Sequence, residues 1–457
     1  MTKEIKNYLK TIKGVSHTTF NPKTESVIRI HLIPPKKVNF SIPWVVIING
    51  NDILPLSAGW GILFRCFIEN VNNYQDQVID DDKLLLIIDN TIEEMRKYFK
   101  KTLKSTLKDD LLDIISTIVD IAGKKEVEKE IGHLTLKQYG KYMNAPHRMD
   151  LMISSMVKDN HWNCNQKCLH CYAGEQDLAI VKELTTEGWK DIIDKCRDAC
   201  IPQLTFTGGE PTLRDDLVEL IDYSKWFVTR LNTNGVLLSK ELCKQLYNAS
   251  LDNVQITLYS HHEHIHNLLV GAPNFNKTIE GIKNAIDAGL SVSINTPLCD
   301  LNKDYLEMVK YLHEAFGLKY FTCSGLIVTG KACSDNSVNT TLDKDELFKI
   351  IAETKKYIDD NKLDLNFTTP GLISSLKLMD LKMMVPSCGA CLSNMGIAPN
   401  GNVIPCQSWL SDNSLGNLIT DDWKKIWNSK ACLKIRKESI RISNLCPLTL
   451  KNMKGKE

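Results

Sequence analysis

The sequence predicts an α/β protein in which a parallel sheet in the middle of the chain is flanked by two smaller regions. In residues 150–342, short apolar runs alternate regularly with amphipathic stretches. Residues 1–149 show strand-length apolar runs followed by helical periodicity, and residues 343–457 combine one helical stretch with a segment rich in Cys, Gly, Pro and Asn. At roughly 100–200 residues per domain, the chain accommodates three domains with these boundaries.

The composition excludes several classes of protein. Of 457 residues, 43% are hydrophobic and 24% are charged, and 56 Lys and Arg balance 55 Asp and Glu. A formal net charge of +1 gives no global field toward nucleic acid or an anionic membrane. The first residues lack the apolar core of a signal peptide, and no apolar run approaches the roughly 20 residues that span a bilayer. We therefore expect a cytoplasmic protein with no nucleic-acid or membrane partner.

The first region predicts a small α+β domain. Strands are expected at Ser26–Ile33 and Trp44–Ile48, because both are apolar runs of strand length. Helical spacing follows. Thr91 with Glu94 predicts a capping box at the start of a helix, and the helical pattern of residues 111–119 is expected to stop at Gly123.

The middle region predicts a parallel sheet, because six apolar runs are separated by helix-like stretches. The predicted strands are Leu151–Met156, Gln203–Thr207, Phe227–Leu231, Val254–Leu258, Ser291–Asn295 and Tyr320–Leu326. The predicted helices lie near residues 185–199, 212–224, 238–249, 276–288 and 302–316. Parallel sheets bind ligands at the carboxyl ends of their strands, so the polar residues after each run are the candidates for chemistry.

The sharpest chemical signal is the C-x3-C-x2-C loop of Cys164, Cys168 and Cys171, just after the first parallel strand. A reducing cytoplasm disfavours structural disulfides, and three close thiolates suit an iron–sulfur cluster or zinc. A structural zinc site has four protein ligands, and the fourth here would be His170, which lies in sequence between two of the cysteines and would crowd them. A four-iron cluster held by three cysteines instead leaves one iron without a protein ligand. A zinc-stapled scaffold without catalysis is the alternative.

This triplet, followed by Tyr172, resembles the radical S-adenosylmethionine (SAM) superfamily. Thr207-Gly208-Gly209-Glu210-Pro211 resembles its GGE motif, which by resemblance holds the amino group of SAM. The polar residues after later strands occupy positions that contact SAM in relatives. The resemblance implies a partial (β/α)6 TIM-like barrel and these cofactor-binding residues: Tyr172, Gly208, Gly209, Glu210, Pro211, Thr233, Asn234, Thr257 and Asn295.

The resemblance also implies a reaction. A [4Fe-4S] cluster with SAM on its open iron would cleave SAM reductively to a 5′-deoxyadenosyl radical, which abstracts a hydrogen atom from the substrate. A flavodoxin or ferredoxin-type reductant would supply the electron. Cys299 and Cys323 lie near strand ends that face the expected pocket. Each is either a donor of a hydrogen atom to a substrate radical, as in related peptide epimerases, or a buried packing residue.

A second group of cysteines lies near the end of the chain. From Cys391 to Cys406 the pattern is C-x9-G-x4-C, which resembles the opening of a SPASM or shorter Twitch domain, and Asn400-Gly401 predicts a hairpin turn between the two thiols. The match departs from a full SPASM tail, since no cysteine follows Cys446. We expect one auxiliary iron–sulfur cluster ligated by some of a set of four cysteines, with Cys432 as a substitute and a zinc site as the alternative. That set is Cys388, Cys391, Cys406 and Cys446.

Two further features carry weaker expectations. One polar stretch contains four histidines, which we expect to be loop side chains rather than metal ligands: His261, His262, His264 and His266.

Residues 53–56 lead into a predicted helix over residues 57–69. This arrangement resembles the winged-helix element that captures leader peptides by adding them to a sheet edge. Residues 1–149 are therefore either a peptide-recognition module or a capping domain.

Together these features predict a radical SAM enzyme that acts on a ribosomally made peptide (RiPP maturation), by cross-linking, epimerisation or a related hydrogen abstraction. A radical SAM enzyme for a small metabolite or tetrapyrrole is the first alternative. A non-catalytic metal-binding scaffold is the alternative from another class, and the GGEP sequence argues against it, since a scaffold needs no SAM-binding carboxylate.

Overall fold

The computed structural model divides the chain into two compact units. Unit 1 comprises residues 1–145 and 197–202, and unit 2 comprises residues 146–196 and 203–457. The structure describes the chain apart from residues 1–2, 13, 21–26, 40, 51, 75–76, 124, 126–135, 335–339, 412–413, 443–444 and 449–457. None of the described helices combines the length and apolar character that crossing a bilayer requires.

Unit 1 is an antiparallel sheet followed by helices, as the sequence predicts, with a further helix, not predicted, before the first strand. The strands are β1 (Ser16–Phe20), β2 (Ile28–Ile33), β3 (Trp44–Ile48) and β4 (Asp52–Leu56). The helices are α1 (Lys3–Thr11), α2 (Ala58–Asn72), α3 (Asp81–Tyr98), α4 (Lys104–Ala122) and α5 (Leu136–Tyr139). The sheet order is β1-β2-β3-β4, and every residue of β3 is buried. The predicted strand start at Ser26 lies outside the described residues.

One prediction in this unit is wrong. Thr91 does not begin a helix but lies inside α3, buried, where its hydroxyl donates to the Ile87 carbonyl oxygen at 2.7 Å. The helix begins instead at Asp80, whose side chain accepts a hydrogen bond from the Lys83 N–H. A carboxylate at the N-cap satisfies a free N–H group, so the charged run before the apolar pattern was the true start signal. The predicted stop at Gly123 is confirmed, since α4 ends there.

Unit 2 is built on one nine-stranded sheet, which confirms the predicted α/β architecture. The strands are β5 (Arg148–Ser154), β6 (Val157–Lys158), β7 (His161–Trp162), β8 (Gln203–Gly208), β9 (Val228–Thr233), β10 (Asn253–Thr257), β11 (Val292–Leu298), β12 (Tyr320–Gly325), β13 (Asp364–Phe367), β14 (Asn394–Ile397) and β15 (Val403–Ile404). The helices are α6 (Thr186–Asp198), α7 (Leu217–Tyr223), α8 (Lys240–Asn248), α9 (Glu263–Val270), α10 (Phe275–Asp287), α11 (Tyr305–Phe316), α12 (Lys344–Asp360), α13 (Ser375–Asp380), α14 (Trp423–Trp427) and α15 (Lys430–Arg441).

Strands β6 and β7 pair with each other in a separate two-stranded sheet, and the other nine form one sheet in the order β13-β12-β11-β10-β9-β8-β5-β14-β15. All six predicted strands are present and pair in parallel with their neighbours. Strands β13 and β14 extend the two ends of the parallel set, and only β15 is antiparallel. The cysteine-rich region therefore shares the sheet of the middle region, and the domain boundary at residue 343 stays a prediction.

Alternation along the strands gives the sheet two chemically different faces. One face is apolar and buried, with Phe206, Leu231 and Ile294 among its residues. The other face, called the polar face below, collects residues that the register places side by side. The polar face is defined by Asp150, Thr205, Thr207, Arg230, Asn232, Gln255, Thr257, Ser293, Asn295 and Thr322. Polar side chains thus line one side of all six parallel strands.

The packing of α2 against β3 generates a matched pair of stability predictions. A Cβ on Gly61 would lie 2.4 Å from Cγ of the fully buried Trp44, whereas a Cβ on Gly59 of the same helix would meet nothing within 4 Å. We expect Gly61→Ala to lower the free energy of unfolding by about 1–3 kcal/mol through overpacking. Gly59→Ala should raise it by about 0.5–1 kcal/mol through helix propensity. Urea unfolding of the full chain, followed by circular dichroism, measures both; equal shifts would contradict the packing argument.

Candidate functional site

The three cysteines of the first motif lie together in the loop after β7. Cys164, Cys168 and Cys171 are close enough for each thiol to interact electrostatically with another. Burial raises the pKa of Cys164 to about 12 and holds the pKa of Cys168 well above its ordinary value. Iron binding at these thiols must therefore displace protons, as thiolate ligation does.

This cysteine loop is anchored from two sides. The Asn234 side-chain amide donates to Asn165 Oδ1 at 2.6 Å, which ties the loop to the end of β9. The Lys167 N–H donates to the Val270 carbonyl oxygen at 2.9 Å, next to the end of α9. Gly271 ends that helix with φ +64°, and a Cβ there would lie 2.8 Å from the Lys167 carbonyl oxygen. A glycine is needed at this position because the loop backbone lies directly against it.

The two glycines of the GGEP sequence are required by the fold itself. Gly208 has φ +149°, and a Cβ on it would lie 2.4 Å from the Ser154 carbonyl oxygen. A Cβ on Gly209 would lie 3.1 Å from the Ser155 carbonyl oxygen. The close neighbour of both glycines is the backbone at the end of β5. The pair lets β8 end directly beside β5, at the edge that carries the cysteine loop.

Glu210 is buried, with 1% of its surface exposed, and it organises the end of β9. Its Oε1 accepts from the Thr233 hydroxyl at 2.6 Å and from the Thr212 hydroxyl at 2.6 Å. Its Oε2 accepts from the Asn234 N–H at 2.8 Å. Burial raises the pKa of this carboxyl, while these hydrogen bonds favour its charged form. The structure thus brings together three of the predicted cofactor-binding residues; contact with SAM stays a prediction.

Tyr172 joins the cysteine loop to the polar face. It is half-buried, and its hydroxyl lies 3.4 Å from the Thr207 hydroxyl oxygen. The Gln176 side chain donates to the Tyr172 carbonyl oxygen and to the Ser408 carbonyl oxygen, the latter at 3.1 Å. Gln176 Oε1 also accepts from the Leu410 N–H at 3.0 Å. Sequence reasoning missed Gln176, which connects the first cysteine loop to the segment after Cys406.

The remaining predicted cofactor-binding residues are placed as expected by the register. Thr257 and Asn295 are direct partners on β10 and β11, and both belong to the polar face. Pro211 begins the short 3-10 turn Pro211–Leu213, which Glu210 caps. The polar residues that follow or end neighbouring strands therefore meet at one edge of the sheet, although their contacts with a cofactor stay predictions.

Lys331 is a charged neighbour of the first cysteine loop that sequence reasoning missed. Its N–H donates to the Cys171 carbonyl oxygen at 3.0 Å, and its Nζ lies 4.8 Å from the ring centroid of Trp162. Burial raises the pKa of Cys171, and the Lys331 ammonium opposes that rise. The preceding Gly330 has φ +57°, and a Cβ on it would lie 2.3 Å from the Tyr172 carbonyl oxygen. No motif pointed to this cation, because it is distant in sequence.

The second thiol group is organised by the hairpin of β14 and β15. Gly396 pairs with Ile404, and Gly401 in the turn has φ +88°, which confirms the hairpin predicted from Asn400-Gly401. The Cys391 N–H donates to the Pro405 carbonyl oxygen at 3.0 Å across the hairpin. The turn therefore brings the backbone of Cys391 next to the residue before Cys406.

Five cysteines meet at this hairpin. The thiol of Cys406 interacts electrostatically with those of Cys388, Cys391 and Cys446. Cys432, which was predicted only as a substitute ligand, is hydrogen-bonded to Cys391. A set of five thiols fits a cluster that needs four thiolates and leaves one cysteine over. Which of these cysteines ligate, and how many, stays a prediction.

The contact between Cys391 and Cys432 has its own electrostatic setting. Arg436 Nη2 donates to Cys432 Sγ at 3.2 Å, and Arg436 Nε donates to the Cys391 carbonyl oxygen at 2.7 Å. The guanidinium stacks over the ring of Trp427 at 3.3 Å from its centroid. Cys391 has φ +54°, a left-handed conformation that non-glycine residues rarely adopt. Backbone strain of this kind persists where the surroundings fix it, here by the hairpin and by Arg436.

The two cysteines predicted as hydrogen-atom donors are both buried. Cys299 belongs to an apolar cluster with Tyr259, against which Cys168 packs, and burial raises its pKa to about 11. Cys323 lies beside the Tyr305 hydroxyl of α11, on the face of β12 opposite to the polar face, and burial raises its pKa to about 12. The donor role stays a prediction for both, and only Cys299 lies near the first cysteine loop.

The four histidines after β10 do not act as one group. His266 is buried, and its Nδ1 accepts from the Tyr259 N–H at 3.3 Å. His264 is exposed at the start of α9. His261 and His262 turn toward Asp304, which lies after β11 and which sequence reasoning did not consider.

Two segments of the chain match known families. Residues 163–312 match the Radical SAM superfamily, and residues 388–447 match SPASM, an iron–sulfur cluster-binding domain. The first segment contains the thiol triplet and the GGEP sequence, and the second contains all five cysteines of the hairpin group.

Individual proteins and structures are also similar. The Fe-coproporphyrin III synthase of Methanosarcina barkeri is 37% identical over 135 residues, which cover 28% of this chain and 31% of that protein. The mycofactocin maturase MftC of Mycolicibacterium smegmatis is 26% identical over 276 residues, covering 58% of this chain and 67% of that protein. The crystal structure of Streptococcus suis SuiB bound to precursor peptide SuiA has a TM-score of 0.63 at 15% identity, covering 95% of this chain and 96% of that one. At that identity the likeness shows the fold.

The chain carries a radical SAM domain, whose parallel strands form the predicted partial (β/α)6 barrel. The segment that matches SPASM, an iron–sulfur cluster-binding domain, follows it in the chain. The first domain implies a [4Fe-4S] cluster with SAM, and the second implies an auxiliary cluster. The chain spans about a third of the length of the Methanosarcina relative and about two thirds of the Mycolicibacterium relative.

The position of Lys331 predicts an electrochemical effect. Lys331→Met removes the ammonium near Cys168 and Cys171 but keeps an unbranched side chain. We expect the reduction potential of the first cluster to fall by on the order of tens of millivolts, because a lost positive charge favours the oxidised state and 59 mV is a tenfold change for one electron. A redox titration followed by electron paramagnetic resonance measures this. Lys331→Arg keeps the charge and should keep the potential; the same fall in both variants would contradict the electrostatic explanation.

Proposed function

We propose that this chain is a radical SAM enzyme that abstracts a hydrogen atom from a peptide substrate during the maturation of a ribosomally made peptide. The observation that carries the proposal is the placement of two thiol groups around one polar face. Tyr172, next to the first group, and Cys406, in the second, both interact electrostatically with Asp150 of the polar face. A substrate on this face would lie between the two groups.

The residues of the first group would hold the cluster and SAM. Cys164, Cys168 and Cys171 supply three thiolates, and Glu210 fixes the neighbouring turn through buried hydrogen bonds. When bound, the cluster and SAM supply reductive carbon–sulfur cleavage to a 5′-deoxyadenosyl radical. The chain itself orients the ligands and excludes water, and the burial of all three thiols supports that role.

The polar face supplies groups for the substrate. Asp150, with 1% of its surface exposed, pairs with Arg148 at 2.9 Å between Nε and Oδ1. Arg230 lies near both, and burial lowers its pKa to about 10, so it stays protonated at neutral pH. Asp252 also lies near Arg230, so two guanidinium groups face two carboxylates and their charges balance. The guanidinium N–H groups can donate to a carboxylate or to peptide carbonyl groups of a substrate.

The N-terminal unit supports a peptide as the substrate. Strand β4 is an edge of the antiparallel sheet, and Ile53 on it is 43% exposed. Pro55 pairs with Val45, and because proline has no N–H we assign this pair to the type that exchanges no hydrogen bonds. The two types alternate every residue along antiparallel strands, so the pair of Ile53 with Ile47, two residues away, is of the same type. The N–H and C=O groups of Ile53 therefore point away from β3. An extended peptide can add to this edge.

The similar proteins give independent support for this substrate class. MftC is named as a maturase, and the SuiB structure contains a precursor peptide. A tetrapyrrole is the second candidate, because the M. barkeri synthase is the relative of highest identity among those compared above. The two arginines of the polar face would suit its propionate groups as well as a peptide carboxylate. Reductant supply by a flavodoxin or ferredoxin-type protein belongs to the same proposal.

The first test separates the two thiol groups. Cys164→Ala should abolish formation of 5′-deoxyadenosine from SAM, because two cysteines no longer hold the site-differentiated cluster, while the auxiliary cluster stays visible by electron paramagnetic resonance. Cys196→Ala is the matched control, since Cys196 is buried on α6 and belongs to neither group. Retained SAM cleavage in Cys164→Ala would refute the assignment of the first group.

The second test addresses the peptide edge. Ile53→Pro removes the outward N–H without touching a hydrogen bond to β3, and we expect the affinity for a precursor peptide to fall about fivefold or more, since one backbone hydrogen bond contributes about 1 kcal/mol. Fluorescence anisotropy of a labelled peptide measures the affinity. Ile53→Thr keeps the N–H and should bind within about twofold of the wild type. Equal affinity for Ile53→Pro and wild type would exclude β4 as the docking edge.

A further inference from the structure

His261, His262 and Asp304 form a group of potential metal ligands outside both thiol groups. One ligand atom from each side chain can be chosen so that all three lie within 4.8 Å of one another. Asp304 Oδ2 lies 3.1 Å from His262 Nε2 and 3.8 Å from His261 Nδ1. Two ligands of a tetrahedral zinc ion, each about 2.0–2.1 Å from the metal, lie roughly 3.3 Å apart. The two distances to Asp304 Oδ2 lie on either side of that value.

The backbone roles of these residues do not explain where their side chains point. Asp304 is the N-cap of α11, a position where a carboxylate usually accepts a hydrogen bond from the helix, yet its side chain makes no capping hydrogen bond. His262 is the N-cap of α9, and its side chain makes no capping hydrogen bond either. Both side chains point toward each other instead. Two loops that follow adjacent parallel strands, β10 and β11, therefore converge on one point.

The protonation of this group leaves donor atoms for a metal. His261 Nδ1 is shielded from solvent and has no hydrogen-bond partner among the described residues. Burial lowers the pKa of His261, the neighbouring His262 lowers it further, and Asp304 and Glu307 oppose the shift. A neutral imidazole is the form that ligates metals. His261 Nδ1 is thus shielded from solvent and lies 3.8 Å from Asp304 Oδ2, a distance too long for a hydrogen bond, which calls for an explanation.

The carboxylate of Asp304 pairs with the two histidines and not with the neighbouring cation. Lys303, the adjacent cation, pairs with Asp300 and with Glu346 rather than with Asp304. Among the described residues, the ion pairs of Asp304 are those with His261 and His262. The group therefore has two imidazoles and one carboxylate, a donor set that suits zinc and similar divalent ions.

We propose that His261 Nδ1, His262 Nε2 and Asp304 Oδ2 bind one divalent transition-metal ion of the zinc class, with water completing its coordination. The site is distinct from the thiol groups and does not depend on which substrate the enzyme takes. His264 lies on the other side of His262, with 5.9 Å between the ring centroids, and is not a ligand.

The site has a structural consequence for the first cysteine loop. Tyr259 and Cys299, which precede the two converging segments, pack in the apolar cluster against which Cys168 also packs. Asn302 already links these segments by donating to the Tyr259 carbonyl oxygen at 2.7 Å. A metal ion at the proposed site would add a second link between the same segments. Metal binding should therefore raise the thermal stability of the holoenzyme.

The experiment uses the anaerobic holoenzyme with zinc ion alone as the probe. The protein is dialysed against buffered zinc at a series of free concentrations, and zinc and iron are counted together by mass spectrometry of the metals. We expect one zinc per chain beyond any at the cluster sites, with unchanged iron. His262→Ala and Asp304→Asn should each weaken binding about tenfold or more, a loss that removal even of an outer partner can produce. His264→Ala is the matched control and should bind as the wild type does.

A second readout distinguishes the site from zinc held by stray thiols. Zinc should raise the melting temperature of the wild type and of His264→Ala but not of His262→Ala or Asp304→Asn, all at equal iron content. The proposal is overturned if the wild type binds no zinc beyond its cluster sites, if His264→Ala loses binding as His262→Ala does, or if the Asp304 variant keeps wild-type affinity. Each of these outcomes leaves the peptide function untouched, because SAM cleavage is measured separately.

Discussion

Strand β5 is the constraint on which the rest of unit 2 depends. It pairs in parallel with β8 on one side and with β14 on the other. The first pairing sets the GGEP turn beside the cysteine loop, and it demands glycine at residue 208 because the two backbones nearly touch. The second pairing places the hairpin that carries the auxiliary thiols in the same sheet. A single strand thus lies between the two thiol groups. Asp150 on that strand interacts electrostatically with Tyr172, next to the first group, and with Cys406 of the second.

Burial is the second physical theme of the site. Burial raises the pKa of the thiols of the first loop, and it raises the pKa of the Glu210 carboxyl against hydrogen bonds that favour the charged form. A buried thiol loses its proton to water only at a high cost in free energy, because its charged form is poorly solvated. A bound metal cation takes the place of that proton and neutralises the thiolate. The same reasoning applies to Cys391, whose left-handed backbone and contact with Cys432 are stabilised by Arg436. The protein thus prepares its donor atoms before any ligand arrives.

Much of this architecture could be predicted from the sequence, because parallel strands leave a strong alternating pattern and cysteine spacings are short-range. All six strands, the hairpin at Asn400-Gly401 and the end of α4 at Gly123 are confirmed. Long-range partners left no local signal, so Lys331, Gln176 and Asp304 were missed. Thr91 was misassigned because its spacing to Glu94 is also found inside helices, where a threonine hydroxyl can bond the preceding turn.

The central claim is that a peptide reacts on the polar face between the two thiol groups. The most direct test is an anaerobic reaction in heavy water with reductant, SAM and a short peptide encoded beside the gene, followed by mass spectrometry. The account predicts 5′-deoxyadenosine together with a peptide that has lost two hydrogen atoms, as in cross-linking, or gained one deuterium, as in epimerisation. Formation of 5′-deoxyadenosine with every such peptide unchanged, while a tetrapyrrole carboxylate is consumed, would contradict it.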